Sequence, residues 1–430
     1  MLRLEIADFR IETLIMTLAH IDRRNFLQLG ATSTLSFLLP PLDLKAAEKR
    51  GAERPKSMIV LWMSGGPSQL ETFDPHPGLS QVESIKTKIS GVEIANLLPQ
   101  MAEEIQHLNI VRSMMSKEGD HERGTYLLKT GYRPDPTLRH PTLGAIVEHE
   151  LPKNGVEIPR HVTLGPTEWP MWGGFLGAEH DAFKVYDPGR ELHNMQHHRP
   201  DDSQKRRLEN LGVLEQNFAQ GRKLQTKKTL HQDAINRALQ MMSSKQLKAF
   251  KIDDEPEAMR KAYGDSTFGR ACLVARRLVE EGVRSVEVSL NGWDSHAANL
   301  KNQSANIKDL DPAFATLIKD LRERDLLQST VVLWIGEFGR TPAINPAGGR
   351  DHWPTGFSCV VGGGGLRSGM VLGTTDPVNA KTTPSDPVEV ADLYATILQT
   401  LGIEYGKEVI TPIGRPMTFS SGKPISKLLG

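Results

Sequence analysis

Ser57–Met63 (Ser-Met-Ile-Val-Leu-Trp-Met) is apolar at every position after the first and stops at Ser64-Gly65-Gly66-Pro67. Side chains alternate between the two faces of a strand, so a run that is apolar throughout has no face to offer water. It belongs in the middle of a sheet covered on both sides, the usual setting of a parallel strand in an α/β protein. The rest of the chain agrees with that reading. His107–Val111 reads as a second strand. Phe268, Ala271, Cys272, Ala275, Leu278 and Val279 fall on one helical face closed by Gly282, ahead of a strand at Val283–Leu290. Leu310, Phe314, Leu317, Ile318 and Leu321 repeat the helical period before a strand at Thr330–Ile335. Asp386-Pro387, with Glu389 three residues after the aspartate, opens a last amphipathic helix that runs through Leu401 to Gly402. Strands alternating with helices predict an α/β fold, a mostly parallel sheet with helices on both faces. From about Asp201 to residue 260 the chain turns polar and Gln/Lys-rich, which predicts a helical excursion packed on that core. Residues 51–430 then form one domain.

The N-terminus is set apart from that domain. Asp22-Arg23-Arg24-Asn25-Phe26-Leu27-Gln28 precedes a weakly apolar run from Leu29 to Leu42 and the small pair Ala46-Ala47. This arrangement resembles a twin-arginine export signal over residues 1–50, with Met1 or Met16 as its start. It predicts a periplasmic or cell-envelope protein that acquires any metal before crossing. Pro40-Pro41 interrupts the run, and it is shorter than the ~20 residues a spanning helix needs, so no stable membrane span is expected once the signal is removed. Lysine and arginine number 52 and so do aspartate and glutamate, a balance that argues against nucleic acid as a partner. Cys272 and Cys359 are the only cysteines, which excludes a disulfide framework and a cysteine-rich metal site. Nothing in the sequence sets the oligomeric state.

The chemistry concentrates just past predicted strand ends, where α/β sheets bind ligands. Asn291-Gly-Trp-Asp-Ser-His296 supplies Asp294 and His296. Gly336-Glu-Phe-Gly-Arg340 supplies Glu337 and Arg340, and Gly348-Gly-Arg-Asp-His-Trp353 supplies Asp351 and His352. Upstream, Gly119-Asp-His-Glu-Arg123 supplies His121 and Arg123. Carboxylates mixed with imidazoles are ligands for a divalent metal, Zn or Mn before Ca or Mg, and the set is large enough for one or two ions. Arg123, Arg340 and Arg350 stand beside these groups, where a guanidinium grips a sulfate or phosphate. Glu337 also lies three residues from Arg340 and can pair with it. Ser64 and Asp74 are further candidates on the loop after the first strand. His76, His140, His149, His161, His180, His197 and His198 lack such surroundings and read as surface or core residues. Gly362–Gly365 has no lysine and reads as a turn.

At these residues the chain resembles the alkaline-phosphatase/sulfatase superfamily, and within it the exported family called DUF1501. The resemblance covers about residues 55–430. It is carried by Phe268–Arg284, Gly292-Trp-Asp-Ser-His296, Gly336-Glu-Phe-Gly-Arg-Thr-Pro342 and Gly349-Arg-Asp-His-Trp-Pro354. It implies an alkaline-phosphatase-like fold with a metal site of Asp294, His296, Glu337, Asp351, His352 and His121. Leu327–Gly339 follows the sulfatase pattern Leu-x-x-Thr-x-Val-x-Phe-Thr-Ser-Asp-His-Gly. Glu337 falls on its metal-binding aspartate and Phe338 on its histidine, a ligand that Asp351-His352 replaces from the next loop. Counting back from Thr130-Gly131 by the superfamily's spacing puts His121 where a hydroxyl nucleophile or formylglycine precursor sits, and Thr125 is a weak substitute. The implied activity is hydrolysis of a small-molecule or polymer-borne sulfate or phosphate ester through metal-activated water. His121 acts there as ligand, acid/base or acceptor, and Arg123 or Arg340 holds the anion. The alternative is a catalytically degenerate member that binds a ligand or partner at the envelope.

Overall fold

A computed structural model describes residues 56–190, 192, 195, 201–221, 230–378 and 383–430. The twin-arginine segment and His197-His198 lie outside the described residues. The strands of the main sheet are β1 (Ser57–Met63), β2 (Leu108–Met115), β3 (His161–Leu164), β4 (Phe183–Val185), β5 (Ser285–Leu290), β6 (Thr330–Ile335), β7 (Phe357–Gly363), β8 (Val371–Leu372) and β9 (Val388–Glu389). Their order is β8-β2-β7-β6-β1-β5-β3-β4, with β9 also paired to β2. β1 is central and buried at every position, as its unbroken apolar run requires. All neighbours run parallel except the two pairs made by β7.

The main helices are α1 (Pro99–Glu104), α2 (His121–Thr130), α3 (Leu143–Glu150), α4 (Asp201–Ala219), α5 (His231–Ser243), α6 (Glu257–Tyr263), α7 (Thr267–Glu280), α8 (Asn299–Glu323) and α9 (Val390–Thr400). Two cores form on the two faces of the sheet. Ile59, Leu61 and Met63 of β1 pack with α7 and α8, while Met58, Val60 and Trp62 pack with α2, α3 and α9. The helical excursion appears as α4 and α5, followed by a 3-10 turn at Lys245–Phe250. No helix among the described residues is long and apolar enough to cross a membrane.

Two of the boundaries that differ from the sequence reading do so for long-range reasons. The second strand runs on to Met115 because Val388 and Glu389 pair with Met114 and Met115. The last helix starts at Val390, not at Asp386-Pro387. Glu389 is its N-cap and exchanges hydrogen bonds with Asp392 as a capping box, while Asp386 leads into β9 at φ +46° with its carbonyl held by Ser113 Oγ at 2.7 Å.

Candidate metal centre

Because β1, β2, β5 and β6 run the same way, the loops that follow them meet at one edge of the sheet. β2 leads into α2, whose N-cap Asp120 accepts the Arg123 N–H at 2.9 Å and so sets His121 at the first helical position. β5 delivers Asp294 and His296, and β6 delivers Glu337. His352 arrives on a two-stranded antiparallel ribbon in which it pairs with Arg340. The turn after β1 supplies a surface for the others. Gly65, at φ +111°, donates its N–H to Glu337 Oε1 at 2.8 Å, and a Cβ there would stand 2.3 Å from the Asp294 nitrogen. Only glycine fits that approach.

Ligand atoms of His121, Asp294, His296 and His352 all lie within 4.8 Å of one another. Each of the three imidazoles is held from behind through Nδ1. His121 Nδ1 stands 2.8 Å from Glu337 Oε1, His296 Nδ1 2.7 Å from Asp351 Oδ1, and His352 Nδ1 2.7 Å from the Gly119 carbonyl oxygen. Carboxylates and carbonyls accept, so each Nδ1 carries the proton and each Nε2 presents its lone pair to the centre. Asp294 closes the group, with Oδ2 3.3 Å from His121 Nε2 and Oδ1 3.3 Å from His296 Nε2 and 3.6 Å from His352 Nε2. His296 Nε2 and His352 Nε2 are 3.0 Å apart. Two lone pairs at that separation repel unless a cation or a proton lies between them. This donor set, three nitrogens and a carboxylate with outer acceptors fixing each ring, fits a divalent metal.

The electrostatics favour charged Asp294 and neutral His352. Burial pushes the Asp294 carboxyl up, but the hydrogen bond and charge of Arg340, with His121 and His296, outweigh it and hold the group below the usual carboxylate range. Burial pushes His352 down. The hydrogen bond to Glu337 raises His121 against the opposing effect of burial. Hydrogen bonds from His296 and then Asn345 hold Asp351 low.

All six metal-ligand candidates from the sequence come to this edge, but at two depths. Glu337 and Asp351 stand behind His121 and His296 and orient them. The arginines take other work than gripping an anion. Arg340 is fully buried and donates to the carbonyls of Gly65, Gly66 and Arg350 and to Asp294 Oδ1 at 2.7 Å, so its fork is spent inside the protein. It pairs with Asp294 rather than with Glu337. Arg350, also fully buried, binds both oxygens of Glu71 at 2.8 and 3.1 Å. Arg123 is directed to Glu118, at 2.7 and 3.1 Å. Thr125 is buried in α2. Asp74 pairs instead with Arg112 at 3.2 Å and accepts from Thr375.

Other supporting groups carried no sequence signal. The Gly119 carbonyl and the Gly65 N–H are backbone. Glu71, Asn299 and Gln303 form a buried network under the Trp293–Ser295 turn, in which Asn299 donates to Glu71 at 2.9 Å and Gln303 to Ser295 at 3.0 Å. Lys129, at the far end of α2 from His121, has Nζ 2.8 and 2.9 Å from the Glu287 oxygens, with both side chains 1% exposed. That pair ties the His121 helix to β5, the strand that carries Asp294.

The profile of the family described as "Protein of unknown function (DUF1501)" matches residues 55–429. No curated protein matches the chain. Among solved structures, it is similar to a protein of the alkaline phosphatase superfamily from Vibrio parahaemolyticus (12% identity, 88% of this chain and 71% of that one, TM-score 0.38). It is also similar to the zinc complex of the C-terminal periplasmic domain of EptC from Escherichia coli (9% identity, 87% and 91%, TM-score 0.39). The lipoteichoic acid synthase LtaP from Listeria monocytogenes is a third (10% identity, 85% and 74%, TM-score 0.39).

Proposed function

We propose that this chain, which belongs to the DUF1501 family, is a metal-dependent hydrolase of sulfate or phosphate esters, exported by the twin-arginine route to the periplasm or cell envelope. One observation carries the reading: three imidazoles with anchored Nδ1 atoms turn their Nε2 atoms and the Asp294 carboxylate onto one point. Three nitrogen donors favour zinc or manganese over the oxygen-seeking calcium and magnesium, and four ligand groups suit one ion. His121, Asp294, His296 and His352 would hold it. Bound there, a divalent cation acidifies water and stabilises negative charge on an ester oxygen.

The chain's own residues do the rest. Arg340 fixes Asp294 as an anion. Glu337 and Asp351 hold the Nδ1 atoms of His121 and His296, so both rings turn Nε2 inward. Asp294 and His296 are nearly half-exposed, so an ester on a small molecule or on a polymer can approach from solvent. A second reading, a ligand-binding member without turnover, is favoured by the engagement of Arg340 and Arg350 inside the protein and by the pairing of Arg123 with Glu118.

The test is metal analysis of the purified protein together with a screen of aryl sulfates, phosphomonoesters and phosphodiesters. About one zinc or manganese per chain, with turnover that Asp294→Ala abolishes, is the expected result. Metal-replete protein inert on every ester class assigns the binding role. A metal-free protein that takes up neither ion on titration overturns both.

A further inference from the structure

The helical excursion carries a surface that the candidate metal centre does not use. Along α4, Val213 and Leu214 are 57% and 66% exposed. At about 100° per residue these two fall with Arg206, Arg207, Asn210 and Asn217 in one arc of roughly 120°. Arg206 and Arg207 are exposed, and no acidic residue lies in the arc. The acidic residues sit elsewhere on the wheel. Asp202 and Glu209 both lie beyond its Val213 edge, and Glu215 turns toward α5, where its carboxylate lies 3.2 Å from His231 Nε2. α5 is in turn fixed to the body of the protein by buried Met241 and by Arg237, which donates to the Glu179 carbonyl at 2.8 Å. The side of α4 that is held and the side that is exposed are therefore different.

Large apolar side chains set among arginines suit one occupant better than others. A polymer of anionic charges would satisfy Arg206 and Arg207 and leave Val213 and Leu214 in water. A second copy placed face to face would bring arginines together with no acid in the arc to receive them. Anionic lipid headgroups over acyl chains satisfy both, the arginines in the headgroup layer and the apolar residues just below it.

We propose that the Val213–Leu214 face of α4, with Arg206 and Arg207, docks the protein peripherally on an anionic lipid bilayer. The contact lies outside the candidate metal centre and does not depend on its chemistry.

Flotation of the full chain with vesicles of equal parts phosphatidylglycerol and phosphatidylcholine tests this against vesicles of phosphatidylcholine alone. The N-terminal apolar run is common to wild type and variants, so differences between them report on α4. Wild type floats with the mixed vesicles and loses that binding as salt is raised. V213E/L214E binds about tenfold or more weakly, and R206Q/R207Q loses its preference for phosphatidylglycerol. All four positions are exposed, so far-UV circular dichroism of both variants stays that of wild type. Wild type that fails to float with the mixed vesicles, or V213E/L214E that floats as well as wild type, overturns the proposal. So does a drop in sedimentation coefficient in V213E/L214E without any lipid binding by wild type, which assigns the face to a second copy.

Discussion

Replacing Glu287 by glutamine isolates the buried ion pair that ties the His121 helix to β5. With Lys129 Nζ 2.8 and 2.9 Å from the two oxygens, the Coulomb attraction at an effective dielectric near 20 is roughly 6 kcal/mol, and desolvation of both groups offsets most of it. Glu287→Gln keeps the volume and one acceptor but leaves a buried lysine without a counter-charge. Loss of one partner of such a pair costs about 3–5 kcal/mol. An independent ceiling comes from letting Lys129 give up its proton. From the ordinary lysine value of about 10.4, that costs roughly 5 kcal/mol at pH 7. Burial already pushes Lys129 down and Glu287 up, so neither group gains charge stability from the core itself. The ceiling also sets a pH signature. If folded Glu287→Gln holds neutral Lys129 while the unfolded chain binds its proton, stability rises with pH up to the unfolded value. The deficit relative to wild type then shrinks by about 1.4 kcal/mol per unit between pH 7 and 10. K129M/E287L, which removes both charges, falls within about 2 kcal/mol of wild type or above it. Urea unfolding at several pH values measures all of this. A Glu287→Gln deficit under about 1 kcal/mol, or a double variant as unstable as the two singles added together, would refute a coupled buried pair.

Three further outcomes follow from the same geometry. Asp351→Asn weakens zinc binding about 10–100-fold by loosening His296, and Glu337→Gln does the same through His121, both read by chelator competition. Gly65→Ala costs about 2 kcal/mol or more, because its Cβ would meet the Asp294 nitrogen at 2.3 Å and its φ is +111°; thermal unfolding close to that of wild type would contradict the contact. His161 is fully buried in the sheet and pushed down to about 4, so the folded protein keeps it neutral where the unfolded chain protonates it. Its contribution is complete above pH 6.5 and is lost, by roughly 3 kcal/mol, as pH falls toward 4. His161→Gln flattens that part of the stability profile, and an unchanged acid limb would rule His161 out as its source.

Much of the fold was legible because burial wrote itself into composition. The apolar runs of β1 and β6 name central strands, and the helical periods of α7 and α8 name the face that packs on them. The extension of β2 was not legible, since nothing local to Met114 and Met115 announces a partner at Val388. The start of α9 was misplaced because Asp386-Pro387 with Glu389 three residues on has the form of a helix start, and only the pairing of Val388 with β2 moves the cap to Glu389. At the site, residue type named the groups and strand ends named the edge, but sequence spacing cannot tell an inner carboxylate from an outer one. Glu337 and Asp351 read as ligands because they are acids beside glycines; their placement behind imidazoles depends on which ring nitrogen meets them. Arg123, Arg340 and Arg350 read as anion grips because they are near the ligands; the burial of Arg340 and Arg350 among carbonyls and acids, and the pairing of Arg123 with Glu118, are properties of the folded chain alone.

Phe338 supports two of the imidazoles without donating to the centre. Phe338 is fully buried, its ring 4.2 Å from that of His352 and 5.1 Å from that of His121. A polar side chain there would be buried, and each polar atom left unpaired costs about 1–3 kcal/mol. The phenyl ring avoids that cost and forms a wall against which the other two imidazoles lean. The ribbon then brings His352 over this wall through its pairing with Arg340, and the Gly119 carbonyl fixes the ring's tautomer. His352→Ala therefore removes a donor and leaves the wall, whereas Phe338→Ala keeps every donor and removes the wall. The first is expected to lower metal affinity with little change in stability. The second is expected to cost about 3–5 kcal/mol of stability, as a buried aromatic ring does, and to weaken metal binding only through looser imidazoles.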